Sequence, residues 1–343
     1  MKKVMVALSG GVDSTVSAYL LKKRGYYIEG VYMKLFDDPI YHEKNLQNIE
    51  IITEYLGIDY HILDIRDEFK KEVYTPFVET YKKGETPNPC VICNRKIKLG
   101  KMLEFAKENG FDYLATGHYA KIENGHIVAP KDRFKDQSYF LSNVKKEVLS
   151  SVMFPLGDML KDEVKEIASK IEVLESIAKQ KESSEICFVP TNYLDILKNH
   201  YDVKREGEVI DRDGNVIGYH FGYMNYTIGQ RKGFRLKRAH KPHYVLEILP
   251  KTNQIVVGQK DELLKGEFFV KDLNLFDDKG NNFECEVKIR YRSPKVKCKV
   301  FKLEGGRAKV LFETPQAGIT PSQIAAFYED NKVIGSAVIV NSD

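Results

Sequence analysis

Tryptophan and long apolar runs are missing from this sequence of 343 residues, and cysteines are few. Its five cysteines leave one over, which argues against the disulfide framework of a small secreted protein. No apolar run reaches the ~18–20 residues that cross a bilayer, and the apolar start of the chain is too short for a signal peptide. We therefore expect a soluble protein of a reducing compartment, the cytoplasm, with no membrane partner.

Low-complexity tracts, internal repeats and a strong net charge are absent as well. With 43% hydrophobic residues, a chain of this length is expected to form two or three domains with cores of ordinary size. The formal net charge of +4 says little about partners, because only the local distribution of charge would indicate a binding surface. The composition thus excludes a disordered tail and a small stapled scaffold.

Strand-like and helix-like segments alternate through the first 120 residues. An apolar run at Val4–Leu8 stops at two glycines, and apolar residues then recur at helical spacing until Gly25. The same alternation predicts further strands at Ile28–Met33, Tyr60–Ile65 and Tyr113–Thr116, and helices that end at Gly57 and Gly110. Such alternation is typical of an α/β fold with a doubly wound parallel sheet, whose ligands bind beyond the carboxyl ends of the strands.

The pattern changes twice after this region. Val144–His200 is charged and helical, with helices predicted at Leu160–Ile171 and Tyr193–Leu197. After about Val203, short alternating runs are separated by glycine and asparagine turn signals, which predicts small β units. We therefore expect an α/β nucleotide domain with a helical part at 1–203, a small central β-rich domain at 204–264 and a β-rich C-terminal domain at 265–343.

A glycine-rich loop follows the first predicted strand and opens the first predicted helix. In Ser9-Gly10-Gly11-Val12-Asp13-Ser14 the two glycines let the backbone approach an anion, and the serine hydroxyls are further donors. No Gly-Lys-Ser or Gly-Lys-Thr follows, so the loop is not of the Walker type. From these residues alone, an ordinary strand-to-helix turn with capping serines stays open beside a phosphate site.

Seven further strings follow this loop in order. They are Thr86-Pro87-Asn88-Pro89-Cys90-Val91-Ile92-Cys93-Asn94, Ala115-Thr116-Gly117-His118-Tyr119-Ala120, Lys135-Asp136-Gln137-Ser138-Tyr139-Phe140-Leu141, Ser184-Glu185-Ile186-Cys187-Phe188, Tyr226-Thr227-Ile228-Gly229-Gln230-Arg231-Lys232-Gly233, Lys288-Ile289-Arg290-Tyr291-Arg292 and Thr320-Pro321-Ser322-Gln323. Together with the loop, they resemble the tRNA-specific 2-thiouridylases over essentially the whole chain. The resemblance implies an adenine nucleotide α-hydrolase-like sheet domain and a β-barrel at the C-terminal end.

The same resemblance implies an enzyme that replaces the C2 oxygen of the wobble uridine of tRNA by sulfur. ATP adenylates the base with release of pyrophosphate, so ATP and Mg²⁺ are the expected cofactors and tRNA is the expected partner. Asp13 would help to place the pyrophosphate or its Mg²⁺. The ATP-binding residues implied in this way are Ala7, Leu8, Ser9, Gly10, Gly11, Val12, Asp13, Ser14, Met33 and Gly117.

Three of the five cysteines fall within these strings. Cys90 and Cys93 form a C-x-x-C motif in a proline-rich loop predicted to precede a helix, and Cys187 lies in a predicted loop about a hundred positions on. Taken alone, C-x-x-C is also typical of structural zinc or of a redox pair. The other two, Cys285 and Cys298, are expected to be inert buried thiols.

The resemblance assigns Cys93 as the nucleophile and Cys187 as the carrier of a persulfide. Each step needs a thiolate, and the helix predicted to begin after Cys93 would lower the pKa of its thiol. The terminal sulfur on Cys187 would attack C2 of the adenylated base. Cys93 would then release that sulfur by closing a disulfide with Cys187.

Cys90 departs from the best-known form of the family, which has aspartate at this position. A thiol with a pKa of about 8.5 does not cleanly replace a carboxyl group with a pKa of ~3.9. Cys90, Cys93 and Cys187 could instead hold a 4Fe–4S cluster with one iron open to the transferred sulfur. Persulfide relay and cluster both stay open, with a slight preference for the cluster. The sulfur donor would be a cysteine desulfurase, a relay protein or inorganic sulfide.

Two basic runs without acidic residues lie in the β-rich part of the chain. Gln230–Lys241 and Lys288–Lys299 each hold six lysines and arginines, and the second surrounds Tyr291. Basic runs are more often solvated surfaces, but two in a nearly neutral protein favour phosphate tracking and base stacking on RNA, with no DNA partner. By resemblance, the tRNA-binding residues are His118, Lys135, Asp136, Gln137, Arg290, Tyr291 and Gln323, the last beside Ser322, where the family usually has glycine.

Two other classes of function stay open from the residues. Another adenylating enzyme with a pyrophosphatase loop, such as a GMP or NAD synthetase, would share the loop but lacks the three-cysteine set and the basic β-rich tail. A non-catalytic, zinc-stabilised RNA-binding protein would keep the basic runs without using ATP. Dependence of ATP turnover on tRNA distinguishes these three classes.

Overall fold

The computed structural model describes residues 1–178, 186–189, 191–237 and 241–341. Ser184, Glu185 and Arg238, which belong to segments singled out above, lie outside these residues. The chain divides into two units. The first comprises Met1–Val73, Cys90–Phe188 and Asp330–Ile334, and the second comprises Tyr74–Pro89, Val189–Glu329 and Gly335–Asp343.

The strands are numbered in chain order. They are β1 (Lys3–Ala7), β2 (Tyr27–Lys34), β3 (Tyr60–Asp64), β4 (Tyr113–Ala115), β5 (Lys121–Glu123), β6 (His126–Val128), β7 (Val152–Met153), β8 (Glu206–Ile210), β9 (Val216–Phe221), β10 (Arg235–Leu236), β11 (Tyr244–Leu249), β12 (Gln254–Gly258), β13 (Lys265–Leu275), β14 (Asn282–Lys288), β15 (Val296–Lys302), β16 (Ala308–Gln316), β17 (Ile324–Glu329) and β18 (Lys332–Val340).

The α-helices are numbered in the same way. They are α1 (Val12–Lys23), α2 (Pro39–Leu56), α3 (Arg66–Phe69), α4 (Thr75–Lys82), α5 (Pro89–Cys93), α6 (Leu103–Glu108), α7 (Ser138–Leu141), α8 (Lys161–Ser169), α9 (Glu175–Ala178) and α10 (Tyr193–Leu197). Two π-helical segments, Lys70–Tyr74 and Asn94–Met102, continue α3 and α5. No helix in the described ranges is long and apolar enough to span a membrane.

A parallel sheet in the order β3-β2-β1-β4-β7 forms the centre of the first unit. Val4, Val6 and Ile28 are at most 3% exposed, as expected of parallel strands covered on both faces. The chain order reverses at β1, which lies between β2 and β4, and doubly wound sheets bind ligands at such a switch point. The predicted doubly wound sheet is confirmed, and its predicted strands agree with β1 to β4 within one residue at each end.

Local signals set the ends of α2. Asp38 caps its first turn, where the Asp38 side chain accepts a hydrogen bond from Tyr41 N at 2.9 Å, and Pro39 occupies the first helical position. Gly57 ends the helix as predicted, with φ 58° and ψ 54°, a left-handed conformation that glycine adopts without a steric penalty.

The segment that contains Cys90 and Cys93 is helical, which corrects the prediction that both cysteines lie in a loop before a helix. Helix α5 begins at Pro89, and proline suits the first helical position because it lacks an N–H that would have no partner there. The turns widen into a π-helix at Asn94–Met102, and α6 continues to Glu108. The two cysteines therefore lie in the first turns of one helical stretch.

Two β structures make up most of the second unit. One sheet has the order β10-β9-β8-β12-β11, in which only the β8–β12 pair is parallel. The other runs β13-β16-β15-β14-β17-β18, and β13 also pairs with β18, which closes a six-stranded barrel. The predicted β-rich region and C-terminal barrel are confirmed, whereas the domain boundaries at 203/204 and 264/265 stay predictions.

Candidate active site

The hydroxyl group of Ser14 makes hydrogen bonds within the glycine-rich loop after β1. Ser14 Oγ donates to Gly11 O at 2.9 Å, and Ser9 N donates to Ser14 Oγ at 3.2 Å. Gly10 has φ 76°, and a Cβ there would lie 2.9 Å from Asn45 O, so the position requires glycine. Because Gly11 caps the 12-residue α1, the first N–H groups of that helix face the loop and favour an anion.

Asp13 is held by two residues to which the sequence assigned no role. Lys161 Nζ lies 2.6 and 2.8 Å from its two carboxylate oxygens, and Tyr119 OH donates to Oδ1 at 2.9 Å. Lys161 is 8% exposed, so its ion pair is largely shielded from water. Lys161 is also the first residue of α8, where the helix dipole disfavours a cation. A lysine at that position is the sequence signal that could have indicated a distant acidic partner.

The loops after β1 and β4 meet at Gly117. The two strands are neighbours in the sheet, and Gly117 follows the end of β4 by two residues. A Cβ on Gly117 would lie 3.0 Å from the carbonyl carbon of Asp13 and 3.1 Å from Ser14 N. These distances are below the ~3.5–4.0 Å of a relaxed carbon contact, so the missing side chain lets the loops approach each other.

His118 is a buried, neutral histidine beside this contact. It is 8% exposed, its Nδ1 lies 2.7 Å from Thr116 Oγ1, and its Nε2 lies 3.4 Å from Lys98 Nζ. Since Lys98 can only donate, Nε2 is the accepting nitrogen and Nδ1 carries the proton toward Thr116. Burial, with a smaller effect of the Lys98 charge, lowers the pKa of His118 well below its usual value.

The three cysteines near this end of the sheet differ in exposure. Cys93 is 6% exposed, Cys90 is half-buried and Cys187 is exposed. Burial raises the pKa of the Cys93 thiol to about 12, which corrects the prediction that a helix N-terminus lowers it. The prediction is wrong because Cys93 is the fifth residue of α5 and the loss of hydration exceeds any dipole effect. The surrounding protein also raises the pKa of Cys187 by desolvation, although that residue is exposed.

Lys98 opposes this effect at both thiols. Its positive charge lowers the pKa of Cys93 and of Cys187, while desolvation raises both. Lys98 follows Cys93 by five residues within the π-helical segment, in which N–H groups bond to the carbonyl five residues back. In an α-helix, five residues make about 1.4 turns, which would direct Lys98 away from Cys93. An α-helical interpretation of the sequence therefore misses this lysine.

Comparison with known proteins identifies the family. The tRNA-specific 2-thiouridylase MnmA of Campylobacter jejuni (strain RM1221) is 54% identical over 337 residues, 98% of this chain and 99% of that protein. The protein of the same name from a Nitratiruptor species is 53% identical over 339 residues, 99% of each chain. This chain belongs to the tRNA-specific 2-thiouridylases. The predicted family is confirmed, and with it an enzyme of the sulfurtransferase class.

Three family models match this 2-thiouridylase in chain order. They are described as a tRNA methyl transferase HUP domain at residues 2–191, a tRNA methyl transferase PRC-barrel domain at 194–259 and an aminomethyltransferase β-barrel domain at 265–339. Their names mention methyl transfer, but the full-length relatives decide the family because they span every segment of the site. Among solved structures, the match to NMN synthetase from Francisella tularensis covers 57% of this chain and 71% of that protein, with 18% identity and a TM-score of 0.36.

In the first unit, the residues that resemblance links to tRNA also hold their own loop. Gln137 Oε1 accepts from Tyr119 N at 2.8 Å, and Asp136 Oδ1 accepts from Ser138 N at 2.9 Å. Lys135 ends a 3₁₀ turn at Arg133–Lys135 and is half-buried. These contacts fix the loop, and contact of its side chains with tRNA stays a prediction for this 2-thiouridylase.

Arg290 makes internal contacts in the second unit. Its Nη2 donates to Ile228 O at 2.8 Å and also contacts Thr320 Oγ1. Tyr291 is half-buried, and Lys288 Nζ lies 5.6 Å from the centre of its ring, a cation–π contact. The guanidinium therefore supports the turn that presents Tyr291, while tRNA contact by either residue stays a prediction.

Gln323 and Ser322 hold the loop that precedes α5. Gln323 Nε2 donates to Thr86 O at 2.8 Å and to Pro87 O at 3.1 Å. Ser322 Oγ contacts the Glu85 carboxylate. The φ of Ser322 is 67°, a left-handed conformation that glycine adopts more readily than serine.

The second basic run carries less uncompensated charge than its sequence indicates. Lys295 lies 3.3 Å from Glu286, and Lys299 lies 3.7 Å from Glu284. The acidic partners come from β14, ahead of the run, so a search within the run itself does not find them. A role of this run in tRNA binding stays a prediction, as it does for the first run, where Arg238 is outside the described residues.

Within the described ranges, no three His, Cys, Asp or Glu side chains come close enough to hold a metal ion. Cys90, Cys93 and Cys187 are all described, so in this arrangement they do not form the ligand set of a 4Fe–4S cluster. Mg²⁺ needs fewer protein ligands than a cluster, since it commonly binds one or two carboxylates together with substrate phosphates and water. Asp13, in the glycine-rich loop after β1, fits that requirement.

A cavity of about 560 Å³ opens where β2 ends and α2 begins. Its lining includes Lys34 and four carboxylates, those of Asp37, Asp38, Glu43 and Glu50. An acidic lining repels a triphosphate, so we do not assign this cavity to the phosphates of ATP. Met33, predicted to line the adenine pocket, lies next to Lys34 and is half-buried.

Proposed function

We propose that this chain thiolates C2 of the wobble uridine of tRNA in an ATP-dependent reaction. The observation that carries the proposal is the full-length match, at 54% identity, to proteins named tRNA-specific 2-thiouridylase. A loop suited to phosphate and three cysteines in the same unit support it, because the reaction needs both ATP activation and a sulfur carrier.

In this proposal ATP binds at the loop after β1, with its phosphates against the N-terminus of α1. Uridine O2 attacks the α-phosphorus, the bond to the β-phosphate oxygen breaks, and pyrophosphate leaves. Mg²⁺, taken up with ATP through Asp13, would neutralise phosphate charge, and Lys161 keeps Asp13 in position. The other residues proposed to bind ATP are Ala7, Leu8, Ser9, Gly10, Gly11, Val12, Ser14, Met33 and Gly117.

Sulfur then passes through a persulfide on Cys187. We favour this route over the cluster because Cys187 is exposed to a donor, shares the cation Lys98 with Cys93, and does not join a three-ligand group. The terminal sulfur attacks C2, and AMP leaves with the former O2. The Cys93 thiolate attacks Sγ of Cys187, the persulfide bond breaks, and the sulfur stays on C2. An external thiol must reduce the resulting disulfide before the next cycle.

Two assays test the proposal together: ATP–pyrophosphate exchange and mass spectrometry of the wobble nucleoside. The wild-type chain is expected to exchange label only when tRNA is present, and to form 2-thiouridine when supplied with a persulfide donor such as a cysteine desulfurase with cysteine. Cys187→Ser is expected to keep the exchange and to lose thiolation, as is Cys93→Ser. Exchange without tRNA would favour a GMP or NAD synthetase type of reaction, and no use of ATP would favour an RNA-binding protein.

Cys90 separates the two sulfur routes. Cys90→Asp restores the residue of the best-known family form, so the persulfide route predicts a variant that thiolates tRNA in air without iron. The iron and acid-labile sulfide of anaerobically purified protein give the complementary measurement. About four irons per chain, as in a 4Fe–4S cluster, together with an inactive Cys90→Asp variant would support the cluster instead.

The remaining assignments complete the proposal. The residues proposed to contact tRNA are His118, Lys135, Asp136, Gln137, Arg290, Tyr291 and Gln323. The donor would be a cysteine desulfurase or a relay protein, which hands a persulfide sulfur to the Cys187 thiol, or inorganic sulfide. Sulfide is more reduced, so it would form the Cys187 persulfide only by attacking the Cys93–Cys187 disulfide, with the Cys93 thiolate as the leaving group. We place the reaction in the cytoplasm, where low-molecular-weight thiols can reduce a catalytic disulfide.

A further inference from the structure

Phe134 is an apolar side chain that the fold leaves in water. The Phe134 residue is 96% exposed. Among the large hydrophobic residues that the structure describes, Met1 at the chain terminus has a similar exposure of 94%. Burying a phenylalanine is worth about 1.5–3 kcal/mol relative to leaving it exposed. Phe134 also directly precedes Lys135, the first of the residues that resemblance links to tRNA.

The turn that carries Phe134 is held rigidly. Asp132 is 8% exposed, its Oδ1 accepts from Phe134 N at 3.0 Å, and its Oδ2 accepts from Lys161 N at 2.9 Å. Lys135 N donates to Asp132 O at 3.2 Å, which closes the 3₁₀ turn. Because the backbone of the turn is already ordered, a partner that covers Phe134 restricts only the side-chain torsions of the ring.

Two basic residues flank Phe134 directly. Arg133 is exposed and Lys135 is half-buried, whereas the more distant Lys131 pairs with Glu163 at 2.8 Å. Single-stranded RNA is bound by aromatic rings on which its bases stack, next to cations that contact its phosphates. We propose that Phe134 is a stacking platform for an unpaired base of the tRNA substrate. This inference rests on the proposed function and adds a contact residue to it.

The absence of tryptophan provides a clean test in the full-length protein. Phe134→Trp introduces the single tryptophan of the chain, which can be excited selectively beyond the absorption of tyrosine, and its emission is expected to be quenched by tRNA to saturation. Ile62→Trp, at a residue that is 51% exposed on β3, is the matched control and is expected to respond little. Phe134→Ala is expected to weaken tRNA binding about 5- to 150-fold, the range for one stacked base, while ATP binding is unchanged.

Equal tRNA affinity of Phe134→Ala and wild type would overturn the inference, as would Phe134→Trp emission that does not change at saturating tRNA. Phe134→Tyr keeps a ring and is expected to bind like wild type, whereas Phe134→Leu keeps only apolar bulk and is expected to bind weakly. Failure of the wild-type chain to bind tRNA at all would instead count against the proposed function.

A separate observation concerns the two cysteines of the barrel. Cys285 on β14 and Cys298 on β15 are directly opposite each other on antiparallel strands, and their sulfur atoms are 3.6 Å apart. Both thiols are free, and directly opposed strand positions have the Cα separation that a disulfide needs. We propose that Cys285 and Cys298 form a reversible modification site, a disulfide made by a hydroperoxide.

The half-buried Cys285 is the thiol that a small oxidant reaches first, since Cys298 is 4% exposed. Its sulfur attacks one peroxide oxygen, the O–O bond breaks, and a sulfenic acid forms with release of one water from hydrogen peroxide. Cys298 displaces the sulfenic hydroxyl as a second water, so two electrons pass from the thiols to the peroxide. The hydrogen bond with Cys298, together with burial, raises the pKa of Cys285, so the reaction is expected to be faster at alkaline pH.

The disulfide would join the two strands of the hairpin whose loop carries Arg290 and Tyr291. Full-length reduced protein treated with hydrogen peroxide is expected to yield a Cys285–Cys298 crosslinked peptide by mass spectrometry. Its melting temperature is expected to rise by ~5 °C, and dithiothreitol should reverse both effects. Cys285→Ser is expected to show neither change. Oxidation of the exposed Cys187 while the barrel pair stays reduced would overturn this proposal, whatever the thiolation activity.

Discussion

Gly117→Ala tests how closely the loops after β1 and β4 are matched. The added methyl carbon would lie 3.0 Å from the carbonyl carbon of Asp13, 3.1 Å from Ser14 N and 3.2 Å from Asp13 Cβ. Carbon contacts are optimal at about 3.5–4.0 Å, so the glycine-rich loop after β1 must move by about 0.5 Å. The atoms in the way are mainly backbone, which does not rotate aside, and overpacking of this kind costs about 1–3 kcal/mol of folding free energy.

We expect the Gly117→Ala variant to fold and to bind ATP about tenfold more weakly, because binding sites hold their groups to within about 0.5 Å. Isothermal titration calorimetry measures the ATP affinity, and urea unfolding measures the free energy of unfolding. Gly266→Ala is the matched control, since nothing lies within 4 Å of its Cβ and its φ is not left-handed. A Gly117→Ala variant with the ATP affinity and stability of wild type would refute this reasoning.

Three further substitutions test contacts of the candidate site. Lys161→Met leaves the partly exposed Asp13 carboxylate without its cation. We expect the free energy of unfolding, measured with heat or urea, to fall by about 1–3 kcal/mol and ATP to bind more weakly. An unchanged stability and an unchanged ATP affinity would contradict a role for the ion pair. Gln323→Ala removes the two hydrogen bonds to the loop before α5; we expect lower thiolation with normal ATP binding, and full activity would argue that the loop needs no such support. The rate at which iodoacetamide alkylates Cys93 is expected to rise about tenfold per pH unit up to the Cys93 pKa of about 12. Lys98→Gln removes a charge that lowers this pKa, so it should slow alkylation several-fold, whereas the control Lys101→Gln should not. Equal effects of the two variants would exclude a specific role of Lys98.

Much of the first unit followed from local sequence signals. Strands β1 to β4 agree with the predicted apolar runs within one residue, since buried parallel strands consist of such runs. Gly57 ended a helix as predicted because only a left-handed residue closes that turn. The motif order also predicted the family, which the full-length relatives confirm.

Predictions failed where the environment of a side chain depends on distant parts of the chain. Cys93 was expected to ionise easily beside a helix N-terminus, but it is buried and its pKa is raised to about 12. Lys98 was missed because a π-helix, which no pattern in the sequence announced, replaces the α-helical period at Asn94–Met102. Lys161 was missed because it meets Asp13 across 148 positions.

The order of strands and helices, the glycine-rich loop and the family could be predicted from the amino-acid sequence, because they depend on residue type, hydrophobic period and motif order. The burial of Cys93, the cation beside Asp13 and the exposure of Phe134 became known only from the folded protein. Desolvation and charge pairing depend on which atoms surround a group in space. Neighbours in the chain supply few of those atoms, so Cys93, Asp13 and Phe134 could be assigned their surroundings only from the folded protein.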